Sequence, residues 1–289
     1  MLKYREIDYK TDLPEVVELI RNNLDLEYSV EFFRWKHLDN PYGKSYGLLA
    51  LDGEKIIGLR MFMFWEFNTQ KGKIRAIRPV DTVTDENYRG KGIFKKLTLN
   101  GLQNILDEYE IIFNTPNKNS LPGYLKMGWR KMEDLDYYRL GLINPFVKSS
   151  SFSSILINQL NFKGENSISH SSTLLSNKYL KWRYKNLVYQ VAYFSSEDSY
   201  VIYKKSKVNY IPFLIICEII GDPAYYGIIL NSLAKKNKTP FVYYYGGDVK
   251  NGQFFRTFKR NSPVVVIKND KHLIGGKLHL SLGDLEGKL

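Results

Sequence analysis

Val83-Thr84-Asp85-Glu86-Asn87-Tyr88-Arg89-Gly90-Lys91-Gly92-Ile93-Phe94 is the stretch on which the fold of this chain turns. The residues leading into it, Lys73 to Thr84, read as a strand. Those leading out carry apolar Ile93, Leu97, Leu99, Leu102, Ile105 and Leu106, which predict a helix from Ile93 to Tyr109. Between them, Gly90 and Gly92 let backbone N–H groups turn inward with no side chain in the way. A helix that starts there adds its unpaired first N–H groups and the positive end of its dipole. Arg89 and Lys91 add charge beside it. Such an arrangement holds a diphosphate. By itself, a basic two-glycine loop is equally well an ordinary strand-to-helix turn.

Working outward, Tyr4 to Asp8 predicts a short strand, and Thr11-Asp12-Leu13-Pro14 a helix start with apolar Leu13, Val16, Val17, Ile20 and Leu24 at helical spacing. A second helix is expected from Ser29 to Leu38, closed by Asn40-Pro41. Tyr46 to Leu51, the Asp52-Gly53 turn, and Lys55 to Phe67 read as strand, turn and long strand. Beyond the long helix, Ile111 to Asn114 is a short buried strand. Leu121 to Met127 gives one or two helical turns ended by Gly128, and Trp129 to Leu142 a final strand pair.

From Asn144 to Ser154 the composition shifts to Pro, Lys and Ser, as in a linker. An echo of the first half follows: Phe32-Phe33-Arg34-Trp35-Lys36 is matched by Tyr179-Leu180-Lys181-Trp182-Arg183. Strand-like aromatic segments, then Asn209 to Ile220, Ala224 to Lys235 and Phe241 to Tyr245, repeat the order strand, helix, strand. Where the first half has its glycine loop, the second has Gly221-Asp222-Pro223-Ala224, a helix N-cap with proline at the first helical position. The aspartate would satisfy the N–H groups a phosphate needs and repel the phosphate as well. The second copy is therefore expected to have lost such binding. Tyr243 to Tyr245 and Phe254-Phe255 are candidates to line a cleft, although aromatic residues on strands are more often core.

Composition bounds the function. The chain has 289 residues, room for two domains, with 44% hydrophobic and 25% charged residues, which excludes extended disorder. The longest apolar run, Ile211 to Ile220, is interrupted by Glu218 and falls short of the roughly 20 residues of a membrane span. No secretory apolar core follows Met1, and the lone Cys217 can form no internal disulfide, so a reducing cytoplasm is expected. The net charge of +12 comes from lysines scattered through the chain with no block or basic helix face, which favours a solvated basic surface over a nucleic-acid site. The four histidines (His37, His170, His272, His279) lack metal-ligand spacing, so no catalytic metal is expected. Cys217 has no partner histidine nearby to make it a nucleophile.

Two motifs resemble the GCN5-related N-acetyltransferase (GNAT) family. The family's loop runs Gln/Arg-x-x-Gly-x-Gly/Ala; Arg89 and Gly92 match it, and Phe94 stands where the family has a small residue. Asn117-Lys118-Asn119-Ser120-Leu121-Pro122-Gly123-Tyr124-Leu125-Lys126-Met127-Gly128-Trp129 is similar to the family's Asn-x-x-Ala/Ser-x-x-x-Tyr-x-x-x-Gly-Phe segment, with Trp129 for Phe. The resemblance covers residues 1 to 142 and reaches the rest as a degenerate repeat. It implies an α/β (α+β) GNAT fold, a mixed central sheet flanked by helices and duplicated. A catalytic domain over 1–145 would bind acyl-coenzyme A, and a degenerate one over 155–289 would contribute to the acceptor cleft.

The resemblance also assigns roles. The sheet would splay between the strands at Lys73–Thr84 and Ile111–Asn114, and the pantetheine arm of acetyl-coenzyme A would lie along the first of these, near Val83 and Thr84. The pyrophosphate would rest on Arg89, Gly90, Lys91, Gly92, Ile93, Phe94 and Lys95, with Asn117 and Ser120 touching the cofactor. A bulky Phe94 is tolerable if it points away from the phosphates. Tyr124 would protonate the departing thiolate as general acid, unless it is one of 22 tyrosines packed under a glycine turn. Asp81, and after it Glu66, are candidates for the base that takes the amine's proton, although carboxylates on strands are usually only solvated or hydrogen-bonded. The implied reaction is direct attack by a small-molecule amine, an amino sugar among the candidates, on acetyl-coenzyme A. Two other readings stay open: an aminoacyl-tRNA-dependent transferase of the peptidoglycan-bridge type, and a regulatory module that senses acyl-coenzyme A.

Overall fold

A computed structural model describes residues 1–69, 72–162, 171–247, 249, 253–270, 273 and 277–285. In chain order the first half forms β1 (Lys3–Glu6), α1 (Leu13–Asn23), α2 (Val30–His37), β2 (Tyr46–Asp52), β3 (Lys55–Thr69), β4 (Gly72–Thr84), α3 (Ile93–Asn104), β5 (Ile111–Asn114), α4 (Leu121–Lys126) and β6 (Arg130–Lys131). Then come β7 (Tyr137–Ile143), β8 (Ser153–Ile155), β9 (Ser172–Thr173), α5 (Asn177–Arg183), β10 (Gln190–Phe194), β11 (Ser199–Val208) and β12 (Ile211–Ile220). The last are α6 (Tyr226–Lys236), β13 (Phe241–Gly246), β14 (Phe254–Lys259), β15 (Val266–Lys268) and α7 (Leu282–Leu285).

Contacts divide the chain into two units. One comprises Met1–Met132, Asn166–Leu174 and Val264–Leu278; the other comprises Glu133–Glu165, Leu175–Pro263 and His279–Leu289. The first unit's sheet has the order β1-β2-β3-β4-β5-β15-β6, with β9 on β3. β1 to β4 are antiparallel neighbours, and β4 and β5 are parallel. The apolar stripe predicted for α1 is what buries it: Leu13, Val16, Val17 and Ile20 pack with Phe33 of α2 on Leu49, Leu59, Met61 and Val83. On the sheet's other face, Ile93 and Leu97 of α3 cover Leu48, Ala50 and Ile57. Each such side chain, fully buried, stabilises the fold by about 1.5–3 kcal/mol.

The second unit repeats this plan in the order β14-β7-β13-β12-β11-β10-β8, with β12 and β13 parallel. Ile229, Leu230, Leu233 and Ala234 of α6 pack on Leu214, Ile216, Val242 and Tyr244. The Phe32–Lys36 and Tyr179–Arg183 echo falls on α2 and α5, and even the caps correspond. The Ser29 hydroxyl accepts from Phe32 N–H at 3.0 Å, and the Ser176 hydroxyl from Tyr179 N–H at 3.1 Å. Both long antiparallel ladders carry a bulge, opposite Arg60 in β3–β4 and at Cys217 in β11–β12.

Three expectations need correction. The long helix stops at Asn104 and not at Tyr109, giving way to a 3-10 turn over Leu106–Glu108. Asp107 and Glu108 would sit at the negative end of the helix dipole. Trp129 to Leu142 is no strand pair: β6 joins β15, whereas β7 joins β13 and β14 in the other sheet. For the same reason the first unit ends nearer Met132 than 145 and takes back Val264–Leu278 from the tail of the chain.

Candidate active site

The loop between β4 and α3 has the geometry that its glycines were expected to allow. Gly90 and Gly92 have φ of +78° and +74°, in the left-handed region that glycine enters without strain. The space beside both is open. Asp85, the nearby acid, is already engaged: it accepts from Asn87 N–H at 3.0 Å and from Lys55 Nζ at 2.8 Å. Gly92 caps α3 with no side-chain bond, and the first turn contains no acidic residue. The helix's own bonding begins with Lys96 N–H to the Gly92 carbonyl at 3.1 Å. The N–H groups of Ile93, Phe94 and Lys95 are therefore left over for an anion. Arg89, Lys91 and Lys95 are exposed around them.

β4 then supplies an open edge. It pairs with β5 only at Ala76–Ile111 and Ile77–Ile112, yet it continues to Thr84. β5 turns its other edge to β15. From Arg78 onward the two parallel strands part, and Arg78 reaches across to Thr115 Oγ1 at 2.8 Å where they do so. An extended arm can add to that edge as a strand would.

Tyr124 stands on the α3 side of this opening, 2% exposed. Its hydroxyl oxygen accepts from Arg60 Nη2 at 2.6 Å and from Asn114 Nδ2 at 2.7 Å. The Asn114 carbonyl oxygen is taken by Thr115 N–H at 2.8 Å, which fixes the amide with its NH₂ toward Tyr124. Phe94 meets Tyr124 edge-on, with ring centroids 5.8 Å apart. A Cβ added at Gly123 would lie 2.8 Å from the Phe94 ring, so Gly123 is what admits that ring. Phe94 thus points into the domain and spans from loop to α4. Trp129, which replaces the expected Phe, packs on Tyr124 at 4.7 Å.

The model of the family described as Acetyltransferase (GNAT) domain matches residues 3–132. These residues form a GNAT acetyltransferase domain. Over most of its length the chain shares its fold with solved structures. A conserved protein of unknown function from Enterococcus faecalis, described as a probable N-acyltransferase, is 13% identical with a TM-score of 0.70, over 92% of this chain and 72% of that one. A GCN5-related N-acetyltransferase from Anabaena variabilis is 11% identical with a TM-score of 0.71 and the same coverage. Eis1 from Mycobacterium abscessus is 9% identical with a TM-score of 0.68, over 93% of this chain and 73% of that one. No curated protein matches the sequence.

In the GNAT domain Asp81 lies on the other face of the sheet from Tyr124. It occupies the β4 bulge with φ +42°. Its carboxylate takes Lys36 Nζ at 2.7 Å, His37 Nε2 at 2.8 Å and the Tyr28 hydroxyl. Burial opposes its charge, but the Lys36 ammonium and the His37 hydrogen bond prevail and hold its carboxyl well below the usual range. Burial keeps His37 neutral, so His37 donates from Nε2 to Asp81 and accepts from the Ser45 hydroxyl at Nδ1, 2.9 Å away. A carboxylate already filled by three donors anchors α2 to the bulge and has little capacity left for a proton. Glu66 does not reach Tyr124. It sits six positions along β3 from Arg60, roughly 20 Å at strand rise, opposite Arg75.

Asn117 is exposed, and its side-chain oxygen accepts from the N–H groups of Asn119 and Ser120 at 3.0 and 2.9 Å, shaping the turn into α4. Ser120 turns its hydroxyl back toward Asn117 at 3.2 Å. The sequence reading missed Arg60 and Asn114, and only one of them carried a signal: an arginine inside the apolar run Leu59-Arg60-Met61-Phe62. Among the described residues no group of three or more His, Cys, Asp or Glu converges as metal ligands would. His170 and His272 lie outside the described residues. No helix among them is long and apolar enough to cross a membrane. In the second unit Asp222 accepts from Ala224 N–H at 2.8 Å and caps the 3-10 turn Pro223–Tyr225, as Asp85 caps Glu86–Tyr88 in the first. The helix expected from Ala224 starts only at Tyr226, where no side chain caps it, so Asp222 does not fill the start of α6.

Proposed function

We propose that this chain is an N-acyltransferase that moves an acetyl group from acetyl-coenzyme A to the primary amine of a small molecule. GNAT domains use acetyl-coenzyme A as co-substrate, and the residues present fit it. The observation that carries the reading is the bare N-terminus of α3 behind two positive-φ glycines, at the end of a strand whose edge is open. Ile93, Phe94 and Lys95 offer N–H groups to the diphosphate, with Arg89 and Lys91 beside them, and the β4 edge through Val83 and Thr84 holds the pantetheine arm. The bound thioester supplies an activated acyl carbon. As the amine's nitrogen bonds to that carbon and the C–S bond breaks, the Tyr124 hydroxyl gives its proton to the sulfur. Asp81 holds the bulge, and the amine's proton passes to bulk water. The second unit, which has no pair of positive-φ glycines ahead of α6, takes no coenzyme A.

Calorimetry with coenzyme A and thiol release across a panel of amino sugars and other small amines test the proposal. Micromolar binding with amine-dependent thiol release is expected. Binding without turnover on any amine would reduce the protein to a sensor, and absence of binding by the folded protein would end the proposal.

A further inference from the structure

Arg60 is 1% exposed, and no carboxylate among the described residues pairs with it. Its Nε is buried without a partner. Around the guanidinium stand three rings: Phe94 and Tyr124 with centroids at 5.4 Å, and Phe62 at 5.6 Å. Taking a cation out of water costs several kcal/mol, and cation–π contacts return only part of it. A leucine or methionine would fill the same space at no such cost. Among the described residues, the one directional bond its side chain makes is to the Tyr124 oxygen.

That bond has a geometric consequence. A phenol oxygen has two acceptor sites and one proton. Arg60 and Asn114 occupy both acceptor sites, so the proton must point away from both donors. When the C–S bond breaks, its electron pair goes to sulfur and the Tyr124 proton follows, leaving negative charge on the phenol oxygen 2.6 Å from a fixed cation. The phenol then regains a proton from solvent. A donor already in place where charge develops lowers the barrier without reorganising.

We infer that Arg60 is a positioning residue for the transfer step. It aims the Tyr124 proton and stabilises the oxygen that loses it, with Asn114 completing the pair. The inference rests on the proposed transferase reading.

A double-mutant cycle tests it, using the full chain, acetyl-coenzyme A and the best amine of the panel. R60M is expected to lower kcat about 10- to 100-fold with KM for acetyl-coenzyme A and calorimetric affinity for coenzyme A within about twofold of wild type. In the Y124F background the same change should cost almost nothing further, because the oxygen it serves is gone. R60K, which keeps the charge and loses the planar fork, should recover part of the rate. Should R60M fail to fold, R60K carries the same cycle. Equal losses from the Arg60 change in the wild-type and Y124F backgrounds, or a loss of coenzyme A affinity matching the loss in kcat, overturns the inference while the transferase reading stands. A wild type that binds coenzyme A and releases no thiol overturns both.

Discussion

Gly92→Asp, read against Gly92→Asn, isolates the charge at the start of α3. Both substitutions place a branched side chain at φ +74°, and both Asn and Asp tolerate that region better than other residues, so the backbone strain of roughly 1 kcal/mol is shared. Nothing stands within 4 Å of the new Cβ, so neither clashes. Both can also bond the free N–H groups of the first turn. The difference is one negative charge beside a doubly charged diphosphate. At about 4 Å in water each charge pair costs about 1 kcal/mol, giving about 2 kcal/mol in all, or about 30-fold in affinity. Calorimetry with coenzyme A should show Gly92→Asp weaker than Gly92→Asn by that factor at low salt. The gap should narrow at 1 M salt, where screening reaches about 3 Å. Pantetheine, which lacks the phosphates, should not distinguish the two. Equal affinities of the two variants for coenzyme A would refute the reasoning, as would an equal gap with pantetheine.

Other consequences are open to direct measurement. Asp81→Asn leaves the buried Lys36 ammonium without its counter-ion and should destabilise the chain by about 3 kcal/mol in urea unfolding. Because the folded Asp81 carboxyl titrates below its unfolded value near 3.9, that contribution is complete above pH 4 and fades as pH falls further; the wild type should therefore show an acid loss in that range that the variant lacks. Glu218 behaves oppositely. Burial and then the Asp284 carboxylate push its carboxyl up to about 8, so the folded state keeps a proton that the unfolded chain releases. Stability should fall as pH rises from about 4.3 through about 8, by up to about 1.4 kcal/mol per unit, and Glu218→Gln should flatten that slope in melts at successive pH values. Gly101→Ala in α3 drives a Cβ into the buried Phe62 ring, and should cost about 1–2 kcal/mol despite the better helix propensity of alanine.

How much of this was legible beforehand follows the range of the interactions. The glycine loop, α1 and the serine-capped α2 are local, determined by residues within a few positions, and the sequence reading placed them within a few residues. The Tyr124 site is only half local. Tyr124 comes from a recognisable segment, but the atoms that hold its oxygen belong to Arg60 on β3 and Asn114 on β5, and no spacing rule links these positions. Asp81 was visible as a carboxylate on β4, while its three donors arrive from Tyr28, Lys36 and His37, over forty positions away. Partners at that distance are set by packing of the sheet against α1 and α2, which periodicity does not encode. The crossing of β7 and β15 between sheets was illegible for the same reason, since the residue pattern of a strand does not say which sheet it joins.

That crossing bears on how the protein is made. Val266, Ile267 and Lys268 pair with Asn114, Phe113 and Ile112, and Val266 and Ile267 are wholly buried. A ribosome that has released residues 3–132 has produced every landmark of the acetyltransferase domain, but β5 must wait for more than a hundred further residues before its neighbour exists. A fragment cut at the apparent domain end would expose a bare strand edge, the kind that recruits other chains. Nascent chains are exposed to the same hazard until the tail emerges.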